Sequence, residues 1–143
     1  MAEYVYNPIQ EVEIGQNVLL QDSIPCNRGY VIHRSGSGIL TLRGIVNNPC
    51  ARFARYHVAF NGNIAVPTTG TAGEISLAIA IDGEPIQTSR ARVTPTVTDA
   101  YFNVTSVANI TVPAGCCLTI SIENTSGVDI NVQNANLTID RTA

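Results

Sequence analysis

A strongly alternating hairpin in the middle of the chain constrains the fold more than any other stretch. In residues 75–81, Ile-Ser-Leu-Ala-Ile-Ala-Ile, bulky aliphatic side chains alternate with Ser and Ala. A period of two places these two classes on opposite faces of a β-strand. Asp82-Gly83 follows, and Asp-Gly between apolar runs indicates a tight hairpin turn, because such turns need residues that tolerate positive φ. The sequence therefore predicts a strand with one face in a core and a small-residue face that is closely covered.

The rest of the chain repeats this pattern in short segments separated by Gly, Pro, Asn and Ser clusters. Alternating or apolar-rich segments fall at residues 9–21, 30–34, 39–43, 52–60, 87–93, 101–112, 116–123 and 128–140. The parity of the apolar positions slips within 101–112 and within 128–140, which predicts a bulge or kink in each. Because no long window has helical spacing, the chain is predicted to be all-β, and so many short strands fit a two-sheet antiparallel jelly-roll sandwich.

Length and charge narrow the class of protein. A chain of 143 residues suffices for one domain with its own core. Charged residues make up 13% of it, against roughly 25% in ordinary soluble domains. All eight basic residues are Arg, against eleven acidic ones, so there is no basic field for nucleic acid or a membrane surface. We expect neither of those partners, and the low charge favours burial of part of the surface in an assembly.

The beginning of the chain carries no targeting signal. Residues 1–8 lack the basic and apolar blocks of a signal peptide, and no apolar run reaches the length of a membrane-spanning helix. We therefore expect synthesis in the cytoplasm without a signal peptide. Within the single domain, residues 1–29 are expected to form an N-terminal arm and an outer strand, and residues 30–143 the jelly-roll domain.

The four cysteines are Cys26, Cys50, Cys116 and Cys117. No two of them have the Cys-x2-Cys spacing of a zinc site. Without a signal peptide, mostly buried free thiols are the favoured reading. A disulfide between Cys26 and Cys50 is the leading exception, since both follow Pro-containing turns.

The histidines and acids supply no catalytic pattern. His33 and His57 each lie near Arg on a predicted strand, and their spacing supplies no convergent partners for catalysis or metal binding. A Cys-His nucleophile pair lacks any supporting sequence context. Calcium needs several oxygens converging on one point, and the acids near the turns and strand ends are scattered. These acids are Asp82, Glu84, Asp129 and Asp140. We expect no catalytic residue, no metal and no cofactor, and hence no enzyme.

Three features in order carry a resemblance to a known family. They are the Asp82-Gly83 hairpin, the block 111–124 with Pro113-Ala114-Gly115 before an alternating strand, and the terminal Ala-Asn-Leu-Thr-Ile of residues 135–139. Over residues 30–140 the chain resembles the tumour necrosis factor-like jelly-roll family, particularly bacterial and phage members such as globular heads of collagen-like spore-surface proteins. The resemblance implies a ten-strand sandwich that assembles as a homotrimer, with small and apolar side chains near the axis. The interface residues expected on this basis are Ser76, Ala78, Ala80, Tyr56, Phe60 and Tyr101.

Two functions are compatible with this resemblance. A free-standing head without a collagen-like stalk is similar to phage virion proteins. The first hypothesis is therefore a non-catalytic structural protein of a phage virion, a trimeric capsid decoration or head-fibre component that packs on itself and on capsid or other virion proteins. The alternative is a receptor- or glycan-binding globular head on a bacterial or spore surface. In that case loops 66–73 and 94–100 would carry recognition, as loops on rigid scaffolds commonly do.

Overall fold

The computed structural model describes residues 2–24, 30–44, 52–114 and 117–142, and the regular secondary structure of this part of the chain is β-strand apart from one short 3-10 helix. The elements are β1 (Ala2–Tyr6), β2 (Gln10–Val12), β3 (Gln21–Ile24), β4 (Val31–His33), β5 (Leu40–Arg43), β6 (Phe53–Ala65), β7 (Ile75–Ile81), β8 (Glu84–Pro85), a short 3-10 helix η1 (Gln87–Ser89), β9 (Ala91–Val93), β10 (Phe102–Pro113), β11 (Cys117–Asn124) and β12 (Ile130–Arg141). None of the described residues forms a helix with the length and apolar character needed to cross a membrane.

The strands form two antiparallel sheets that face each other across one core. The front sheet has the order β10-β6-β12-β1-β3, and β2 also pairs with β12. The back sheet has the order β4-β5-β11-β7-β8, and β9 also pairs with β7. The inward side chains of both sheets form a single hydrophobic cluster. This is a jelly-roll sandwich, and the predicted fold class is confirmed.

The central hairpin forms as the alternation predicts. Ile75, Leu77 and Ile79 on β7 are fully buried in the core cluster. The turn from β7 to β8 has φ of 50° at Asp82 and 84° at Gly83. Two consecutive positive φ values are the geometry that Asp-Gly favours, because Gly has no Cβ and Asp tolerates the left-handed region.

Of the two predicted irregularities, one is confirmed and one is wrong. The register of β12 against β6 shifts between Gln133 and Asn136, and Asn134 in the bulge has φ of 56°. In contrast, β10 pairs with β6 without any shift along its whole length. The apparent slip in β10 arises because the core position is taken by a polar residue, Ser106, whose buried hydroxyl donates a hydrogen bond to the carbonyl of Ser89. A polar residue at a buried position therefore interrupts the apolar alternation in the sequence in the same way as a bulge would.

The N-terminal segment is part of the sandwich in this structure. Strand β1 lies between β12 and β3, and Tyr4 on β1 belongs to the core. Val18 and Leu20 are also fully buried, and the Val18 N–H donates to the carbonyl of Ile122 on β11 at 2.8 Å. The apolar side chains of Tyr4, Val18 and Leu20 thus belong to the same core as those of the later strands.

Candidate assembly surface

The outward side of the front sheet contains an uncharged, polar region with charged residues at its border. On β6, the side chains of Tyr56 and Phe60 point into the core, so the alternate positions of the strand point away from it. We call a set of ten outward side chains on the neighbouring strands β10, β6 and β12 the amide face. It comprises His57, Ala59, Asn61 and Asn63 of β6, Asn103, Thr105, Val107 and Asn109 of β10, and Asn136 and Thr138 of β12.

The strand register arranges these side chains in rows across the sheet. In one row Asn61 stands between Thr105 of β10 and Asn136 of β12. In the next row Ala59 stands between Val107 and Thr138. Directly paired residues on one face are close enough for their side chains to touch. The amide face therefore has an apolar centre of Val107 and Ala59 with amides and hydroxyls around it.

Hydrogen bonds between side chains hold the amides in place. The Nδ2 of Asn103 donates to Oδ1 of Asn61 at 3.0 Å and to Oδ1 of Asn63 at 3.2 Å. The hydroxyl of Thr105 donates to the same Asn61 oxygen at 3.2 Å. Asn63 in turn donates to Oδ1 of Asn134 at 3.2 Å. Because each amide is oriented by its neighbours, little side-chain freedom remains to be lost when another surface packs against this one.

Charges occur only around the amide face. Arg55 and Asp140 lie toward one end of β6 and β12, and Glu3 lies on β1, where its carboxylate accepts from Asn136 Nδ2 at 3.2 Å. Val107 at the apolar centre is 46% exposed, although its neighbours on the face are polar. An exposed β-branched residue in the middle of an uncharged sheet face is typical of a surface that becomes covered.

The sequence-based interface residues lie elsewhere. Ser76, Ala78 and Ala80 on β7, and Tyr56 and Phe60 on β6, are all at most 1% exposed within a single chain. Their own chain covers them, so they offer a neighbouring copy no surface, and the prediction is corrected for these five.

Both faces of β7 are covered, because the side chains from Ile75 to Ala80 are all buried whichever side they point to. Ser76 on its outward side is bonded by Thr125 at 2.7 Å and by Arg90 Nε at 3.0 Å. The sixth expected interface residue, Tyr101, is half-buried just before β10 and accepts a long hydrogen bond of 3.5 Å from Asn131. The surface that the sequence did not lead us to is the outward side of β6, at the odd-numbered positions between the core residues. The small and polar residues at these positions were the available signal.

The two loops expected to carry recognition are adjacent. The Asp99 N–H donates to the carbonyl of Val66 at 2.8 Å, which ties loop 94–100 to the start of loop 66–73. Val97 in this pair of loops is 59% exposed. The structure therefore brings these two predicted segments together at one place on the surface.

The two histidines have different surroundings. The side chain of His33 is 1% exposed; its Nδ1 lies 2.6 Å from Oδ1 of Asp22 and its Nε2 lies 2.8 Å from the carbonyl of Ser37. The contact with Asp22 ties β3, at the edge of the front sheet, to β4, at the edge of the back sheet, and the contact with Ser37 holds the ring against the turn between β4 and β5. His57 is on the amide face, where its Nδ1 donates to Oδ1 of Asn109 at 3.0 Å.

Two carboxyl groups near the β7–β8 turn have shifted pKa values of opposite sign. The N–H and hydroxyl of Thr119 donate to Asp82 at 3.0 and 2.8 Å, and these bonds lower the pKa of that carboxyl. Partial burial, followed by the charge of Glu84, raises the pKa of Glu123 on β11. Oε2 of Glu123 is buried without a hydrogen-bond partner among the described residues. Across that same part of the chain, no three His, Cys, Asp or Glu side chains are grouped as a metal site would require.

The cysteine predictions are only partly addressed by the structure. Cys117 is exposed at the start of β11. Cys26, Cys50 and Cys116 lie outside the described residues, and so does the predicted bridge between Cys26 and Cys50.

Comparison with solved structures identifies the fold. The chain is similar to the globular domain of zebrafish complement 1qA protein, with a TM-score of 0.60 and 15% identity over 96% of this chain and 94% of that one. It is also similar to murine APRIL at pH 5.0, with a TM-score of 0.58 and 12% identity over 92% of this chain and 96% of that one. The fold is therefore the tumour necrosis factor-like jelly roll, as the sequence resemblance implied.

More distant matches add no argument. The C-terminal domain of EclA, a sugar-binding protein, matches with a TM-score of 0.41 and 14% identity over 94% of this chain and 79% of that one, which is too remote for any inference about function. No protein-family model matches the sequence. No curated protein matches it either.

Proposed function

We propose that this chain is a non-catalytic structural protein that assembles as a homotrimer through its amide face and serves in a phage virion as a capsid decoration or head-fibre component. The observation that supports the proposal most is the amide face, an uncharged region on the outward side of the front sheet that is centred on Ala59 and Val107. The sequence resemblance supplies the trimer and the virion setting.

The energetics of burial favour assembly at this surface. Charged groups are expensive to desolvate, whereas amides and hydroxyls that already have hydrogen-bond partners are cheaper to cover. On the amide face the amides of Asn61, Asn63 and Asn103 are bonded to one another before any partner arrives. Its apolar centre adds burial of nonpolar area, which is the main favourable term in association. The low content of charged residues in the whole chain is consistent with a protein that functions as part of an assembly.

The mass of the protein in solution tests the trimer. Light scattering coupled to gel filtration at micromolar concentration is expected to give three times the chain mass of 15.2 kDa, or a whole multiple of that trimer mass where trimers associate further. Ala59→Arg places a charge at the centre of the amide face, and because Ala59 points outward the variant is expected to fold and to lose the trimer. Thr41→Arg, on the outward side of β5 in the back sheet, is the matched control and is expected to keep the mass of the wild type.

Two results would contradict the assembly proposal. One is a wild-type protein that stays monomeric throughout this concentration range. The other is an Ala59→Arg variant that folds by circular dichroism and keeps the wild-type mass. Co-sedimentation with empty capsids then tests the virion role; the trimer is expected in the pellet, and the Ala59→Arg variant in the supernatant.

A second candidate function is a receptor- or glycan-binding head. The hydrogen bond between Asp99 and Val66, which joins the two predicted recognition loops, favours it. A glycan panel tests this candidate directly, with Val97→Asp as the loop variant and Thr41→Arg as the control. Binding by the wild type that is lost only in the loop variant would support the glycan-binding head, and capsid binding without glycan binding would reject it.

A further inference from the structure

We propose that β10 pairs edge to edge with β10 of a second copy, antiparallel about a two-fold axis through Val107, so that two front sheets join into one continuous sheet. This inference goes beyond the proposed function, because it uses backbone groups at a sheet edge and not the side chains of the amide face. The partner is a second copy of this chain.

The edge of β10 is unlike the other sheet edges in the described part of the molecule. Strand β3 at the far edge of the front sheet has four residues, and β4, β8 and β9 at the edges of the back sheet have three, two and three. Strand β10 has twelve residues, contains no charged residue, and has proline only at its last position. Soluble proteins usually protect long edges with charges, prolines or short strands, because an unpaired edge is a template for another strand. The long edge of β10 lacks these protections.

The hydrogen-bond register shows which residues face the open side. The Ala114 N–H donates to the carbonyl of Arg52 at 2.8 Å, one step beyond the last pair of β10 with β6. In an antiparallel ladder, residues that bond to the partner strand alternate with residues whose N–H and C=O point away from it. Even-numbered residues of β10 therefore bond to β6. The outward-pointing backbone groups belong to Asn103, Thr105, Val107, Asn109 and Thr111.

A second hydrogen bond supports the same assignment. On the other side of β6, the Thr142 N–H donates to the carbonyl of Arg55 at 2.8 Å, which shows that odd-numbered residues of β6 bond to β12. Even-numbered residues of β6 are then the ones that bond to β10. Both sides of β6 give one consistent ladder, and the open edge of β10 carries the odd-numbered groups.

The sequence of β10 is symmetric in character about Val107. With the axis at this residue, Thr105 meets Asn109 and Asn103 meets Thr111 on the outward face, while Val107 meets its own copy. On the core face the same register opposes Val104 to Ile110, Ser106 to Ala108 and Phe102 to Val112. Apart from Ser106 opposite Ala108, where both side chains are small, each pair joins side chains of the same class, and no like charges meet. Every outward N–H and C=O of the five odd-numbered residues also acquires a partner in this register, so the edge is self-complementary.

The edge is already ordered before pairing. All twelve residues of β10 are in register with β6. The Ser106 hydroxyl, bonded to the Ser89 carbonyl, also anchors the strand to η1 beneath it. A pre-formed strand loses little conformational freedom when another strand adds to it. A strand added in the plane of the front sheet also leaves the amide face uncovered, so the two modes of association can coexist.

Disulfide trapping in the full chain tests the register. Directly opposed residues of an antiparallel hydrogen-bonded pair have Cα atoms about 5.5 Å apart, within the range a disulfide spans. Val107→Cys is therefore expected to give a 107–107 linked dimer without reductant, about ten-fold more than Asn103→Cys, which would be roughly 27 Å from its own copy at 3.4 Å per residue. Peptide mass mapping locates each link and separates it from links between native cysteines.

Mixing variants that each carry one introduced cysteine distinguishes the two-fold pairing from any parallel arrangement. An equimolar mixture of Thr105→Cys and Asn109→Cys chains is expected to form 105–109 links and few 105–105 links, since the latter positions would be roughly 14 Å apart. Links at 105–105, equal linking of Asn103→Cys and Val107→Cys, or no linking above the wild type would each overturn the inference. If the wild type has a trimeric mass but no 105–109 links form, only the β10 pairing is refuted. If 105–109 links form but the Ala59→Arg variant has the same mass as the wild type, only the amide-face assembly is refuted.

Discussion

Asn124 is the buried side chain whose replacement should reveal most about how the sandwich is held together. It is 2% exposed at the end of β11. Its Nδ2 donates to the carbonyls of Val12 and Val128 at 3.0 Å each, with a longer contact of 3.3 Å to the carbonyl of Glu13. Its Oδ1 accepts from the Ser126 N–H at 2.9 Å. One amide thus ties the N-terminal segment to the β11–β12 turn.

Asn124→Asp keeps the shape of the side chain and replaces its donor group by an acceptor. Two donated hydrogen bonds are lost, each of which contributes about 0.5–1.5 kcal/mol. The new buried carboxylate then faces carbonyl oxygens, and no cation is among the hydrogen-bond partners of this side chain. The total loss in the free energy of unfolding is therefore roughly 3–5 kcal/mol. For a chain of this length 1 kcal/mol corresponds to about 3–4 °C in Tm, so the expected loss is roughly 10–20 °C at neutral pH.

Thermal unfolding at two pH values provides the assay. The same surroundings raise the pKa of the introduced carboxyl, so its protonated form is favoured in the folded state. Ionisation opposes folding, and the deficit relative to the wild type should shrink on acidification from about pH 7 to about pH 4. Asn7→Asp, at an exposed position outside the amide face where the carboxylate keeps the acceptor oxygen that Asn134 contacts, is the control and is expected to change Tm by less than about 2 °C. Equal Tm losses for the two variants, or an Asn124→Asp deficit independent of pH, would refute the reasoning.

Three further outcomes follow from the described contacts. Ile79→Asp should abolish the folded circular dichroism spectrum, since an unpaired carboxylate in the core costs several kcal/mol, comparable to the whole stability of a small domain; a cooperative melt would contradict this. Glu123→Gln should raise Tm at pH 7, because the raised pKa of Glu123 means that its ionisation opposes folding. This gain in Tm should vanish below about pH 4, where the carboxyl is protonated in both states. Glu84→Gln, which removes only the charge repulsion on Glu123, should give a smaller gain in Tm. His33→Gln should cost about 1–3 kcal/mol in chemical unfolding by breaking buried hydrogen bonds, whereas a similar loss for the exposed-face variant His57→Gln would contradict the assigned roles.

The fold could be predicted because its determinants are local. Alternation in β7 and the Asp82-Gly83 turn are properties of neighbouring residues, and each acts through sterics and hydropathy that the sequence displays directly. The bulge in β12 was also visible as a change of parity. The false bulge in β10 shows the limit of this reasoning, because nothing local indicates that the Ser106 hydroxyl finds a carbonyl partner in η1.

The candidate surface could not be predicted, because parity separates two faces of a strand without saying which one is covered. In β6 the aromatic face looks suitable for a trimer axis, yet Tyr56 and Phe60 are the residues that fill the core. In β7 both faces are buried, so small size at Ala78 reflects packing within one chain. The amides of the amide face come from positions as distant as Asn61 and Asn136, and only the sheet register brings them together.

The scarcity of charge in this chain has a structural counterpart in two adjoining features, the amide face and the open edge of β10. A monomer with such surfaces would gain little protection from electrostatic repulsion, so its solubility would depend on covering them. The two features use different groups, side chains on the face and backbone N–H and C=O at the edge, and they point in perpendicular directions. Covering one therefore leaves the other available. A protein built in this way can associate by face packing and by strand pairing in the same particle, which is the behaviour that a component of an extended shell or fibre requires.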